Sequence, residues 1–185
     1  MWKYVLPLAG FGLLVVAFYF GLQRNPSVIP SPLIGKPAPV FSLPNLHDPQ
    51  AQVSNANYRG RPYLLNVWGT WCVGCRQEHD LLNEIAQSSP VPMIGLNWKD
   101  DSELAKAWLE QLGNPYAATA VDQEGRVAID WGVYGAPETF LVSADGQILH
   151  KHVAPLTREI WERDFVPKIS AAIGIPAPAA AGAQP

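Results

Sequence analysis

The sequence predicts an α/β domain, and three observations support that prediction. Short apolar runs of strand length alternate with longer segments of helical periodicity. One apolar run ends at Trp68, and Cys72 and Cys75 follow it with the C-x-x-C spacing that is typical of a redox motif. Near the C-terminal end, Asp145 and Gly146 separate two apolar runs, which indicates an antiparallel hairpin.

The individual elements follow from the apolar pattern and its breakers. A small leading hairpin is expected over residues 39–43 and 51–54, although Pro44 and Pro49 leave its ends undefined. Strands are predicted at residues 63–68, 93–98, 117–121, 139–143 and 147–153. Helices are predicted from the C-x-x-C motif through residue 86, at residues 102–112, more weakly at 125–132, and at 157–173, before Gly174.

The chain is expected to begin with a membrane anchor at residues 1–24. No charge occurs between Tyr4 and Leu22, and at about 1.5 Å per residue such a helix nearly crosses a hydrocarbon core of about 30 Å. A cleaved signal peptide is the alternative, but bulky residues at 18–24 do not fit its small-residue cleavage pattern. Lys3 gives a thin positive-inside bias, which favours a cytoplasmic N-terminus and an exported domain.

Three further parts follow the anchor. Residues 25–36 are predicted to form a Pro-rich tether, residues 37–173 the α/β domain, and residues 174–185 a disordered Ala/Pro tail. The formal net charge is −3 and no basic cluster occurs, so nucleic acid is not an expected partner.

Cys72 and Cys75 are the only cysteines in the chain, so a disulfide between them closes a very short loop and is expected to be chemical. Cys72 lies where a strand gives way to a helix, and the free N–H groups and dipole of a helix start stabilise a thiolate. Cys72 is therefore the predicted nucleophile. Cys75 is expected to be more buried and to attack second, which releases the partner reduced. Alternatively, Cys72, Cys75 and His79 hold copper or zinc.

Residues 66–79, with the sequence NVWGTWCVGCRQEH, resemble the active-site stretch of the CcmG family, also called DsbE. Its members are membrane-anchored, periplasmic thioredoxin-like proteins of cytochrome c maturation. Further stretches resemble the same family in the same order: LIGKPAP at 33–39, FSLP at 41–44, GLNWKDD at 95–101 and GVYGAPETFL at 132–141. The resemblance covers roughly residues 31–170.

The resemblance implies a thioredoxin-like fold with a central mixed β-sheet and a cis peptide bond before Pro137, which lies against the cysteines. It also implies that Glu78 and Glu138 surround the dithiol, oppose thiolate formation and so favour the disulfide. From the residues alone, a solvated helix carboxylate is an equal interpretation of Glu78, whereas Glu138 is better placed to meet a partner. Trp71 is expected on the surface beside the dithiol, where it helps to grip an unfolded polypeptide.

Two positions in the motif need separate comment. Thioredoxin carries a buried acid six residues before its first cysteine, whereas this chain has neutral Asn66 there, as the family does. A proton shuttle for Cys75 therefore needs another group, with Glu78 and water as candidates. The residues between the cysteines, Val73 and Gly74, depart from the pair common in relatives, which leaves the redox potential open.

The leading functional hypothesis is a thiol-disulfide oxidoreductase that acts as a periplasmic reductase on the inner membrane. The resemblance implies apocytochrome c or a CcmH-like maturation protein as partner, a DsbD or CcdA type of membrane thiol carrier as electron donor, and no cofactor or metal. A general thioredoxin-like reductase or oxidase is the first alternative. A copper- or zinc-binding module, or a non-catalytic scaffold that binds apocytochrome through Pro137 and Trp71, are the others.

Overall fold

The structure is a computed structural model that describes residues 2–22 and 32–175. These ranges belong to two separate units, and each is described by itself. The first unit contains helix α1 (Trp2–Leu22), whose described apolar side chains are exposed. Among the described residues, no helix combines the length and the apolarity that a membrane span needs. Most of the predicted tether, residues 25–31, and residues 176–185 of the predicted tail lie outside the described residues.

The second unit is built on a mixed five-stranded sheet, so the predicted α/β class is confirmed. In chain order its strands are β3 (Tyr63–Trp68), β4 (Met93–Trp98), β5 (Ala118–Asp122), β6 (Glu138–Val142) and β7 (Ile148–Val153). They lie side by side in the order β5-β4-β3-β6-β7. The β3–β4 and β4–β5 pairs are parallel, and the β3–β6 and β6–β7 pairs are antiparallel. The predicted leading hairpin is also present, as β1 (Ser42–Pro44) paired with β2 (Gln52–Ser54), and a short 3₁₀ helix at Asn55–Tyr58 follows it.

The helices begin and end at residues suited to those positions. Helix α2 (Val73–Ser88) follows β3 and starts at Cys72, and α3 (Ser102–Leu112) starts at Asp101, whose carboxylate accepts hydrogen bonds from the N–H groups of Glu103 and Leu104. Helix α4 (Arg126–Asp130) is short and lies within the predicted range 125–132.

The predicted C-terminal helix is not one regular α-helix. It consists of α5 (Arg158–Ile160), a π-helical turn (Trp161–Phe165) and α6 (Val166–Ala172). Pro167 explains the interruption, because proline has no N–H to donate and its ring clashes with the carbonyl four residues earlier. The wider π turn directly precedes α6, and Pro167 lies in the first turn of that helix.

The sheet separates two hydrophobic clusters, because alternate residues of a strand point to opposite faces. On β3, Leu65 and Val67 belong to one cluster, whereas Leu64 and Trp68 belong to the other. The second cluster also contains both cysteines and buried residues of α2, α3 and the C-terminal helical region. The cysteines therefore lie on the face that α2 covers, at the carboxyl end of the central strand.

Candidate active site

Cys72 and Cys75 form a disulfide at the start of α2, with an S–S distance of 2.10 Å. Cys72 is the N-cap residue, and its Sγ accepts a hydrogen bond from the backbone N–H of Cys75 at 3.0 Å. The expectation that Cys75 is more buried is not met in this oxidised state, because Cys72 is 4% and Cys75 3% exposed. What distinguishes the two sulfurs is position, since Cys72 lies at the free N–H groups of the helix and Cys75 one turn inside it.

Trp71 lies on the surface next to the disulfide and is 51% exposed. Its indole N–H donates to the carbonyl of Trp98 at 3.2 Å, and the two indole rings meet edge to face with centroids 5.6 Å apart. The ring folds back over Gly69, where an added Cβ would lie 2.5 Å from the indole nitrogen. A glycine at position 69 therefore makes room for Trp71.

Gly74, which departs from the pair usual in relatives, has a packing reason. An added Cβ there would lie 2.9 Å from Cδ of Pro137 and 3.0 Å from Cγ of Pro155. Because real Cβ atoms do not come that close, a glycine lets the first turn of α2 approach both prolines. The Ala136–Pro137 peptide bond is cis, as the resemblance implies, and Pro137 is buried against this turn.

Glu78 is a buried carboxylate one turn beyond Cys75, and the alternative of a solvated helix carboxylate is wrong. It is 1% exposed, accepts a hydrogen bond on Oε1 from Nδ2 of Asn66 at 2.9 Å, and accepts one on Oε2 from the N–H of Leu156 at 2.6 Å. Burial raises the pKa of Glu78 to about 7, although the two hydrogen bonds act in the opposite direction. This carboxyl group can therefore gain or lose a proton near neutral pH.

Asn66 connects Glu78 to a network that the sequence did not reveal. Its amide nitrogen also donates to Oγ1 of Thr139 at 3.0 Å, and its amide oxygen accepts from the hydroxyl of Tyr116 at 2.8 Å. The Tyr116 ring stacks on Trp68 with centroids 5.5 Å apart. The one sequence signal was a polar residue in the middle of a fully buried strand, which must find partners on neighbouring elements.

Glu138 does not present its side chain to a partner, which corrects the sequence expectation. It is 0% exposed, and its Oε2 lies 2.9 Å from Nζ of Lys151, while its Oε1 accepts from the N–H of Tyr134 at 3.1 Å. Burial raises the pKa of Glu138, and Lys151 lowers it. The carboxylate is thus paired inside the protein, whereas the neighbouring Tyr134 is 62% exposed.

His79, the third ligand of the metal alternative, has its ring nitrogen engaged elsewhere. Nε2 lies 2.9 Å from the carbonyl oxygen of Gly113, and the ring meets Trp108 edge to face. Burial lowers the pKa of His79. Within residues 2–22 and 32–175, no group of three or more His, Cys, Asp or Glu side chains is arranged to hold a metal ion.

Comparison with known proteins places this geometry in a family. The Redoxin family matches residues 33–169. The thiol:disulfide interchange protein DsbE of Allochromatium vinosum is 45% identical over 166 residues, which are 90% of this chain and 92% of that protein. The DsbE protein of Escherichia coli K12 is 41% identical over 169 residues, covering 88% of this chain and 91% of that protein.

A solved structure gives the same result for the fold. The crystal structure of a Chlorobium tepidum protein assigned as DsbE superposes with a TM-score of 0.65 at 26% identity, covering 76% of this chain and 98% of that one. The fold is thioredoxin-like, as the resemblance implied, and the paired cysteines at the start of α2 are those of a thiol-disulfide oxidoreductase. The chain belongs to the Redoxin family and, within it, to the DsbE (CcmG) group of thiol:disulfide interchange proteins.

Proposed function

We propose that this thiol:disulfide interchange protein works as a periplasmic reductase in cytochrome c maturation, with Cys72 as attacking sulfur and Cys75 as resolving sulfur. The observation that carries the assignment of roles is the position of Cys72, whose sulfur caps the free end of α2. A thiolate at that position is stabilised by the helix dipole and by backbone N–H groups.

The exchange is a two-electron transfer that needs no cofactor. The Cys72 thiolate attacks one sulfur of a partner disulfide, forming a mixed disulfide and releasing the partner's other sulfur as a thiolate that takes up a proton. The Cys75 thiol then loses its proton and attacks Sγ of Cys72, which re-forms the disulfide and releases the second partner sulfur. The partner gains two electrons, and an external dithiol must later return two electrons to Cys72 and Cys75.

Glu78 is the proposed acceptor of the Cys75 proton. It is on the same helix, three residues beyond Cys75, and its pKa of about 7 allows it to accept a proton near neutral pH. Asn66 holds one of its oxygens and the Leu156 N–H the other.

An exposed apolar surface next to the disulfide supports a polypeptide substrate. Trp71, Val73 and Tyr134 are 51%, 75% and 62% exposed, and they belong to the motifs that contain the cysteines and Pro137. Such side chains bury apolar area when an extended chain lies across them.

The substrate proposal follows from the family. Relatives are named thiol:disulfide interchange protein DsbE, and the resemblance implies apocytochrome c or a CcmH-like maturation protein as the oxidised partner. A membrane thiol carrier of the DsbD or CcdA type is the proposed electron donor.

The proposed location is the periplasmic side of the inner membrane, with α1 as the anchor. The uncharged stretch from Tyr4 to Leu22, which lies within one helix, supports this proposal. Full-length protein is expected to remain in the membrane fraction after a carbonate wash, whereas a chain that starts at Pro30 should fractionate as soluble. Release of the full-length protein by carbonate would contradict the anchor.

Trapping in cells tests the function. The Cys75→Ser variant should accumulate a mixed disulfide through Cys72, and the captured chain should contain a C-x-x-C-H haem-attachment motif or belong to the maturation machinery. The control Cys72→Ser/Cys75→Ser should capture nothing. Wild-type protein should be mostly reduced in these cells, and a predominantly oxidised pool would favour the oxidase alternative.

A further inference from the structure

The turn that carries Cys72 is held by a carboxylate that the exchange chemistry does not use. Asp100 follows β4, is 6% exposed, and accepts two hydrogen bonds from Thr70. The Thr70 backbone N–H donates to Oδ2 at 2.7 Å, and the Thr70 hydroxyl donates to Oδ1 at 2.6 Å. Because both bonds reach one carboxylate, they fix the orientation of Thr70 as well as its position.

Asp100 is itself fixed by its own segment. Nδ2 of Asn97 donates to Oδ2 at 2.9 Å, and the N–H of Asp101 donates to Oδ1 at 3.0 Å. Asp101 in turn caps α3. Four donors therefore share the two oxygens of Asp100, and the junction between β4 and α3 determines where Thr70 lies.

A second contact joins the same two segments. Trp71, between Thr70 and the nucleophile, donates its indole N–H to the carbonyl of Trp98. The N–H of Cys72 closes the turn by donating to the carbonyl of Gly69 at 3.1 Å. Both residues immediately before Cys72 are thus tied to residues 98–100.

We propose that Asp100 is a positioning residue for Cys72, which acts through Thr70 to hold the nucleophilic sulfur against the free N–H groups of α2. The supporting geometry is that the Cys72 sulfur lies 3.0 Å from the N–H nitrogen of Cys75, at the end of the turn that Asp100 grips. The proposal deepens the exchange function and depends on the attacking role of Cys72.

Alkylation of Cys72 in the reduced full-length protein tests the proposal. Thr70→Val keeps the shape of the side chain and removes the hydroxyl donor, and Thr70→Ser is the matched control that keeps it. Thr70→Val should raise the apparent pKa of Cys72 and lower its rate constant with iodoacetamide at pH 7 by about three- to tenfold, comparable to losing a helix N-cap contact. Thr70→Ser should react like wild type. A role confined to stability would leave the pH profile of Thr70→Val unchanged, and that result would overturn the proposal.

A coupling experiment connects the effect to Asp100. Asn at position 100 has one acceptor oxygen and cannot accept both bonds from Thr70. The Thr70→Val effect on the alkylation rate should therefore be smaller in an Asp100→Asn background than in wild type. An equal effect in both backgrounds would show that Asp100 does not act through Thr70. Since iodoacetamide replaces the partner protein, an error in the proposed substrate leaves this result unaffected.

Discussion

Replacing Glu78 with glutamine should make the protein progressively more stable than wild type as the pH rises from about 4.5 to above 7. In the folded protein, burial raises the pKa of Glu78 from 4.5 to about 7. In the unfolded chain the carboxyl group is in water and ionises near its ordinary pKa. The folded state therefore binds more protons than the unfolded state between these two values, and its stability falls with increasing pH in that interval.

The size of the effect follows from the two pKa values. A rise from 4.5 to about 7, at 1.36 kcal/mol for each pKa unit, corresponds to about 3 kcal/mol. The contribution of Glu78 is fully present below pH 4.5 and is lost as the pH passes through about 7. Glutamine has no charge at any pH, and its altered hydrogen bonds to Asn66 and Leu156 add only a constant offset.

Denaturant unfolding of the oxidised protein between pH 4.5 and 8 measures the difference between Glu78→Gln and wild type. That difference should change by about 3 kcal/mol in favour of the variant across the range. Asp80→Asn is the control, because it removes a carboxylate from the exposed side of the same helix, and its difference from wild type should stay constant. A constant difference for Glu78→Gln as well would refute the assignment of a buried, proton-accepting carboxyl group.

Two further substitutions test the packing around the disulfide and the buried network. Gly74→Ala should lower the free energy of unfolding by about 1 kcal/mol, because its Cβ would press on Pro137 and Pro155 and that cost exceeds the gain in helix propensity; a more stable variant in denaturant unfolding would contradict the close approach. Tyr116→Phe should cost about 1–3 kcal/mol in the same assay, because the amide oxygen of Asn66 loses its buried donor. Unchanged stability of Tyr116→Phe would show that this hydrogen bond contributes little.

Elements with strong local signals were predicted closely. The central strands at residues 63–68 and 93–98 and the helix at residues 102–112 have the predicted bounds, because long apolar runs and the Asp101 cap mark them locally. The Asp145-Gly146 turn likewise produced the antiparallel β6–β7 pair. The irregular C-terminal helix was missed, because helical periodicity hides the effect of a single proline such as Pro167.

The chemistry of the site depends on contacts between distant parts of the chain, and these the sequence did not predict. Glu78 could be solvated or buried on its position in α2 alone, and Leu156, 78 residues later, contributes to its burial. The ion pair of Glu138 with Lys151 depends on the register of β6 against β7. The reason for Gly74 is the approach of two prolines from other segments. None of these partners is adjacent in sequence, so local pattern carries no information about them.

Site-resolved alkylation of the reduced wild-type protein across pH tests the central claim most directly. If Cys72 is the thiolate poised at the start of α2, it should be labelled first, with an apparent pKa below the value of about 8.5 that is usual for a free cysteine. Cys75 should be labelled only slowly. Labelling of Cys75 first, or an apparent pKa for Cys72 at or above that of a free thiol, would contradict the account.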